Sequence, residues 1–185
     1  MVAKVVSMNN LASDVASGAL PNVTFIDTEA DLSLSEHPPG NVTTGEAWSH
    51  TVISEIQAGP GWPNTAIVLT WDENGGFYDH VPPPQVDEWG YGFRVPLIAV
   101  SPYAKHASVD HAIMDHASML RFIEDNWGLP YLTHRVDTAG NLTSAFAFAS
   151  TLLSARSASA PAPGQSIFPT FDFLRARADE FANGG

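Results

Sequence analysis

Two short apolar runs, separated by a long connection rich in proline and glycine, constrain this sequence most. Residues 66–71 form a continuous apolar run of strand length, and residues 95–100 form a second one. Continuous rather than alternating apolar residues are typical of strands that are covered on both faces in a parallel sheet. The connection, residues 74–94, has no helical periodicity, which favours a functional loop between two buried strands.

Signals upstream of these runs complete a strand, helix, strand pattern. Residues 23–26 are rich in β-forming side chains and are closed by Asp27, which predicts an earlier strand. Thr43 and Glu46 have the spacing of a capping box, and apolar residues then recur at helical spacing until Gly59. We therefore predict a βαβ unit and an α/β fold with a mainly parallel sheet.

A second helix is predicted after the second apolar run. Asp115 is in position to cap it, and Gly128 supplies a stop signal. Leu120, Ile123 and Trp127 recur on one face, which predicts that this face is buried. Further along, residues 154–164 have the composition of a flexible linker, and residues 173–181 have the pattern of a short terminal helix.

Composition excludes several classes of function. The 185 residues contain 8 Lys plus Arg against 20 Asp plus Glu, a formal net charge of −12 that opposes binding to nucleic acid or to anionic membranes. With 44% hydrophobic and 15% charged residues, the chain has the composition of a folded domain. There is no cysteine, so any metal ion is held by oxygen and nitrogen ligands. The sequence shows no signal peptide or membrane span, and its cellular location stays open.

An acidic pair directly follows the first apolar run. Asp72 and Glu73 stand at the carboxyl end of the predicted strand, where ligands bind in open α/β sheets. Two adjacent carboxylates repel each other, and a hard divalent cation is their usual partner in proteins. Gly75 and Gly76 would let the backbone fold tightly around such an ion. The alternative interpretation is a surface turn, which the sequence Asp-Glu-Asn-Gly also favours.

Histidine follows aspartate three times, at positions 79–80, 110–111 and 115–116. A neighbouring carboxylate orients an imidazole and fixes its tautomer, as catalysis or metal binding requires. The alternative for each pair is an exposed loop histidine or an aspartate that caps a helix. His37 is a further candidate, because the prolines that follow it place it on a loop of extended backbone.

Common catalytic motifs are missing. The sequence has no nucleophile elbow, P-loop, zinc-protease helix or dinucleotide fingerprint. Serines are present, and Ser101 and Ser118 are candidate nucleophiles for a carboxyl-ester hydrolase, but no motif marks either one.

Several segments, in order from about Leu11 to Phe148, resemble the bacterial phosphoesterase family. That family contains phosphatidylcholine-type phospholipases C of the non-haemolytic and haemolytic kinds, and related acid phosphatases. The segments that carry the resemblance are Trp62-Pro63-Asn64-Thr65-Ala66, Thr70-Trp71-Asp72-Glu73-Asn74-Gly75-Gly76-Phe77-Tyr78-Asp79-His80-Val81-Pro82-Pro83-Pro84, Gly92-Phe93-Arg94-Val95-Pro96, Ser101-Pro102-Tyr103-Ala104 and Asp115-His116-Ala117-Ser118-Met119-Leu120-Arg121-Phe122-Ile123-Glu124.

The resemblance implies an α/β/α sandwich similar to the alkaline phosphatase superfamily, and hydrolysis of phosphate esters, including phospholipids, at a divalent metal ion. By that similarity the metal ligands are Asp72 and Glu73, His37 contacts the phosphoryl group or the leaving oxygen, and three residues complete the site: Asp79, His80 and His116. Asn74 departs from the pattern, since family members usually have histidine there.

A larger departure lies upstream. Family members carry a Glu-Asn metal-binding motif and a Ser or Thr nucleophile in an N-terminal half, and nothing before Leu11 resembles either. We therefore expect residues 1–150 to be the C-terminal part of a phosphoesterase domain, truncated at its N-terminus, and residues 151–185 to be linker and terminal helix. A fragment, a natural short form and a site completed by a second copy or another chain remain open. A catalytically inert remnant that binds metal or phosphate is the alternative function.

Overall fold

The computed structural model describes residues 5–28, 31 and 33–148. These residues form a mixed α/β structure, as predicted, with helices α1 (Leu11–Ala16), α2 (Val42–Ala58), α3 (His116–Trp127) and α4 (His134–Thr138), and strands β1 (Ile67–Thr70) and β2 (Leu97–Val100). Single 3-10 turns occur at Met8–Asn10, Trp62–Asn64 and Leu142–Ala145. The predicted linker and terminal helix lie outside the described residues. None of the described helices is long and apolar enough to cross a membrane.

Both apolar runs form strands, but the strands pair in the opposite sense to the prediction. β1 and β2 are antiparallel, with Ile67 opposite Val100 and Thr70 opposite Leu97. Parallel neighbours need a crossover, usually a helix, whereas residues 71–96 contain neither helix nor strand and simply return the chain alongside itself. The predicted parallel βαβ unit is therefore absent from the described residues.

The prediction of a strand at residues 23–26 is also wrong. These residues have no strand assignment, because no described backbone pairs with them. Phe25 is 82% exposed, so β-forming side chains alone did not produce a strand here. The strands that do form are less buried than expected: β1 is half-buried throughout, and Ile98 in β2 is exposed. The expected cover on both faces is thus incomplete among the described residues.

Helix α2 forms as predicted, with a different N-cap. The side-chain oxygen of Asn41 accepts hydrogen bonds from the backbone amides of Thr43 and Thr44, at 2.9 and 3.3 Å. The capping box assigned to Thr43 and Glu46 is therefore wrong, since Asn41 is the N-cap and the helix begins two residues earlier than that box requires, at Val42. Ile56 of α2 is buried against Leu11 and Val15, and half-buried side chains surround this cluster: Met8, Leu20, Ile26, Val52, Trp62 and Ile67.

Helix α3 confirms the predicted cap and corrects the predicted buried face. Asp115 accepts from the amide of Ser118, and the Ser118 hydroxyl accepts from the amide of Asp115. Gly128 ends the helix with φ of 62°. Leu120 is exposed, however, while Ile123 and Trp127 are half-buried, and the buried positions are Ser118, Glu124 and Asn126. The apolar face thus remains partly open among the described residues.

Four buried apolar residues lie in the chain that follows α3. Val136 of α4, Ala139, Leu142 and Phe146 are all buried. The Phe146 ring stacks on Phe122 of α3, with ring centroids 5.3 Å apart. Helix α4 was not predicted, because it is one turn long and too short for a periodic signal.

Replacement of Asn41 by Ala tests which residue caps α2. We expect Asn41→Ala to lower the free energy of unfolding by about 1 kcal/mol, because two backbone amides lose their acceptor. Thr43→Ala is the matched control and should have little effect. Urea unfolding of both variants decides the matter, and a larger loss in Thr43→Ala would contradict the structure.

Candidate functional site

Trp71, the residue after β1, connects three segments that are far apart in the sequence. Its carbonyl oxygen lies 2.8 Å from Nε2 of His116, the first residue of α3. Its indole Nε1 donates to the Glu36 carboxylate at 3.0 Å. The loop that contains His37, the end of β1 and the start of α3 therefore meet beside the acidic pair.

These contacts fix the tautomer of each neutral imidazole. A carbonyl oxygen can only accept, so His116 carries its proton on Nε2, and its Nδ1 is an acceptor. His37 has the opposite arrangement, because its Nδ1 lies 2.7 Å from the carbonyl oxygen of Pro38. Its Nε2 therefore points away from the backbone and lies 3.5 Å from Oε1 of Glu73, with both side chains about half exposed.

The loop that contains His37 packs closely against the backbone of α2 at Gly45. Glu36 adopts the left-handed region, with φ of 63°, which costs energy in a residue other than glycine. Gly45 of α2 makes room for this turn, since a Cβ at that position would lie 2.7 Å from the Leu34 carbonyl oxygen and would overlap the Glu36 side chain. The hydrogen bond from Trp71 then holds the Glu36 carboxylate.

The acidic pair itself lies on an exposed turn. Asp72 and Glu73 are both exposed, and Oε1 of Glu73 accepts from the amide of Gly75 at 2.9 Å. Gly75 and Gly76 have φ of 60° and 74°, as the expected tight turn requires. Both interpretations of this segment thus describe the same geometry: a surface turn that presents two carboxylates.

Asp79 is held by an arginine. Its two oxygens accept four hydrogen bonds: from Arg94 Nε and Nη2, each at 2.8 Å, from the Arg94 amide at 3.2 Å and from the Val81 amide at 3.1 Å. These donors, the Arg94 guanidinium first and the Val81 amide next, hold the pKa of Asp79 well below its usual range. A carboxylate has about four lone-pair positions, and all four are used.

A cleft of about 1410 Å³ gathers most of the predicted site. Five of the six residues line it: His37, Asp72, Glu73, Asp79 and His116. His80 is exposed, does not line this cleft, and has no hydrogen bond recorded in the described part of the chain. Apolar side chains from α2, β1 and α3 form the rest of the wall, including Trp48, Val52, Leu69, Met119 and Ile123.

The described residues do not form a complete metal site. Among residues 5–28, 31 and 33–148 there is no group of three or more His, Asp or Glu side chains that could hold a metal ion. One reason is visible in the contacts: Asp79 has no lone pair left for a metal ion, because its two oxygens accept four hydrogen bonds. A hard divalent ion takes about six to eight ligands, so Asp72 and Glu73 supply part of a shell at most.

Neither candidate serine nucleophile has a histidine partner among the residues that the structure describes. The Ser101 hydroxyl donates to the carbonyl of Thr65 at 2.8 Å and accepts from the amide of Tyr103 at 3.2 Å. Ser118 is fully buried and forms the cap of α3 with Asp115. A serine without a neighbouring base is not activated for attack, and both hydroxyls hold backbone structure instead.

Sequence reasoning missed three residues that organise this site: Glu36, Trp71 and Arg94. Trp71 and Arg94 lie in segments that resemble the family, and Glu36 lies in the predicted loop beside His37. The residue that each of them binds is remote in the sequence. Arg94 is 15 residues from Asp79, and Trp71 is 35 residues from Glu36. A local pattern contains no signal for such pairs.

Mixed α/β structure, with an acidic pair and two oriented imidazoles at the end of a strand, defines a candidate hydrolase site. The family comparison agrees with this class: the model of the Phosphoesterase family matches residues 1–130. The chain therefore belongs to the Phosphoesterase family.

Curated relatives bear related names. A non-hemolytic phospholipase C of Pseudomonas aeruginosa is 33% identical over 77% of this chain and 25% of its own length. Phospholipase C B of Mycobacterium tuberculosis is 32% identical over 76% of this chain and 32% of its own length. Non-specific phospholipase C1 of Arabidopsis thaliana is 28% identical over 72% of this chain and 31% of its own length. The chain thus spans about a quarter to a third of the length of these relatives.

The Asp79–Arg94 pair should make stability depend on pH. Because the pKa of Asp79 is lowered in the folded state, its stabilisation is present above the unfolded pKa of about 3.9 and is lost as the pH falls below it. We expect Asp79→Asn to lower the free energy of unfolding at neutral pH, and the difference from the unmodified protein to shrink below about pH 4. Asp72→Asn, at an exposed aspartate, is the control and should follow the unmodified protein. A difference that is the same at pH 7 and pH 3 would contradict this role for Asp79.

Proposed function

We propose that this chain contributes to the hydrolysis of phosphate esters, of the phospholipase C or acid phosphatase type. The observation that carries the proposal is the meeting of His37, Glu73 and His116 around the end of β1, in a chain of the Phosphoesterase family. The α/β/α sandwich with a mainly parallel sheet is part of the same proposal. It concerns the whole domain, in which residues 1–150 are the C-terminal part.

His37 is proposed as the acid that protonates the leaving oxygen. Its Nδ1 proton is held by the Pro38 carbonyl, so the proton that it would give up is one carried on Nε2, which lies 3.5 Å from Glu73. That Nε2 proton passes to the departing alkoxide as the phosphorus–oxygen bond breaks, which removes negative charge from the leaving group. Imidazole is suited to this step because it titrates near neutral pH.

His116 and Asp79 have proposed roles that differ in kind. His116 Nε2 is committed to Trp71, so its Nδ1 is the atom available to accept a proton or a hydrogen bond from substrate or water. Asp79 has no free lone pair, and its proposed role is to hold loop 74–94 in place through Arg94. His80 stays a candidate on the sequence resemblance alone.

Asp72 and Glu73 are proposed as two of the ligands of a divalent metal ion. The donor chemistry supports this, since exposed carboxylates are suitable ligands for hard cations. The described residues lack a third ligand, so this proposal requires further ligands from outside them, in the same polypeptide, a second copy or another chain.

A phospholipid or a smaller phosphate ester is the proposed substrate. Three relatives are named phospholipase C, and the cleft combines the polar site with apolar walls from α2, β1 and α3. Such walls suit a substrate with an apolar portion. The net charge of −12 opposes a nucleic acid substrate.

A second candidate function is favoured by the incomplete ligand set. A remnant that binds metal or phosphate without turnover needs only part of the catalytic machinery, and the described residues contain no group of three metal-binding side chains. Calorimetric titration with Mn²⁺, Ca²⁺, Mg²⁺ and Zn²⁺, beside an activity assay, separates the two functions. Binding without turnover supports the remnant.

Hydrolysis of p-nitrophenyl phosphate and p-nitrophenylphosphocholine tests the main proposal. We expect activity that is lost with a chelator and in Asp72→Ala, and that falls about 100-fold in His37→Gln because the leaving oxygen loses its proton donor. Asp137→Ala, at an exposed aspartate of α4, is the control and should retain full activity.

Activity that persists with the chelator and in Asp72→Ala would overturn the proposed mechanism. Labelling by a fluorophosphonate probe would instead support a serine carboxyl-ester hydrolase.

A further inference from the structure

Arg135 of α4 binds two segments that flank the candidate site. Its Nη1 donates to Oδ2 of Asp87 at 2.9 Å, and its Nη2 donates to the carbonyl oxygen of Gly90 at 3.1 Å. Its Nε donates to Oδ2 of Asp115 at 3.2 Å, and its guanidinium carbon lies 4.9 Å from the centre of the Tyr91 ring. One guanidinium thus joins loop 74–94 to the N-terminus of α3.

Both aspartates use their second oxygen to cap backbone amides. Oδ1 of Asp87 accepts from the amides of Trp89 and Gly90, each at 2.9 Å. Oδ1 of Asp115 accepts from the amide of Ser118 at 3.2 Å, as the N-cap of α3. Because Arg135 holds the other oxygen in each case, it sets the orientation of both caps.

Electrostatics make this contact difficult to replace. The carboxylates of Asp87 and Asp115 are both bound to one guanidinium, so they lie close together and repel each other without it. The same pairing, with Asp115 first, raises the pKa of Arg135, and burial followed by the charge of Asp115 raises the pKa of Tyr91. A guanidinium has five donors in a rigid planar fork, which lets it bind both carboxylates and a carbonyl in a fixed geometry.

We propose that Arg135 is a positioning residue for His116. Asp115 is the cap and His116 is the first residue of α3, so the orientation of the cap determines where the imidazole meets the Trp71 carbonyl. Arg135 lies beyond residues 1–130, which the family model matches. The catalytic meaning of this link rests on the proposed function, whereas the link itself is measurable in a protein that has no activity.

Nuclear magnetic resonance of the full chain tests the link, with Arg135→Gln as the variant. At a pH that keeps imidazoles neutral, the ¹⁵N chemical shifts of the two ring nitrogens of His116 should differ widely in the unmodified protein, since the proton is fixed on Nε2. In Arg135→Gln we expect these two chemical shifts to move toward a common averaged value. We also expect the amides of Trp89 and Gly90 to exchange at least about tenfold faster, because Asp87 is no longer held.

Arg121→Gln is the matched control. Arg121 lies on α3 and also binds a carbonyl, that of Ala139 at 2.5 Å, together with Asp125 and the Tyr131 ring, but it does not contact the cap. It should destabilise the protein without changing the His116 tautomer. Arg135→Lys keeps the charge without the forked guanidinium. Compared with Arg135→Gln, it should restore part of the difference between the chemical shifts of the two His116 ring nitrogens.

The proposal is overturned if folded Arg135→Gln keeps the fixed tautomer, or if Arg121→Gln alters it equally. If Arg135→Gln does not fold, the Arg135→Lys spectrum decides, and an unchanged tautomer and unchanged amide exchange there contradict the proposal. Failure of the phosphate-ester assay leaves these readouts unaffected, so the two proposals can fail separately.

Discussion

The arrangement of the site depends on the hydrogen bonds of Trp71. Its indole donates to the charged Glu36 carboxylate, and its carbonyl accepts from His116, so one residue connects β1 to a loop upstream and a helix downstream. A hydrogen bond to a charged group contributes about 1.5–3 kcal/mol, comparable with the energy of a strained left-handed residue such as Glu36. These two bonds bring the Glu36 loop and His116 together at the end of β1.

Five acidic residues at and around the site divide into two groups with different physical roles. Asp79, Asp87 and Asp115 are each bound by an arginine and by backbone amides, and they hold loop 74–94 and the start of α3. Asp72 and Glu73 instead present exposed carboxylates at the end of β1. The arginines that pair with the first group are already counted in the net charge of −12, whereas Asp72 and Glu73 are exposed to solvent.

Local signals located α2, α3 and both strands, but they did not predict how the strands pair. The apolar runs located both strands, and the Asp115 cap located α3, because each signal lies within a few residues. Strand direction depends on which backbones are neighbours, and for residues 23–26 no described neighbour exists. Five of six predicted site residues line one cleft, but the partners that hold them are remote: Arg94 for Asp79, and Trp71 for His116.

Hydrogen bonds around the end of β1 fix two imidazoles in opposite tautomers. A long-range ¹H–¹⁵N spectrum of the histidine side chains, recorded with neutral imidazoles, tests it directly. The structure predicts that His37 carries its proton on Nδ1, donated to Pro38, and that His116 carries its proton on Nε2, donated to Trp71. The same tautomer for both residues, or averaged signals for both, would contradict this account.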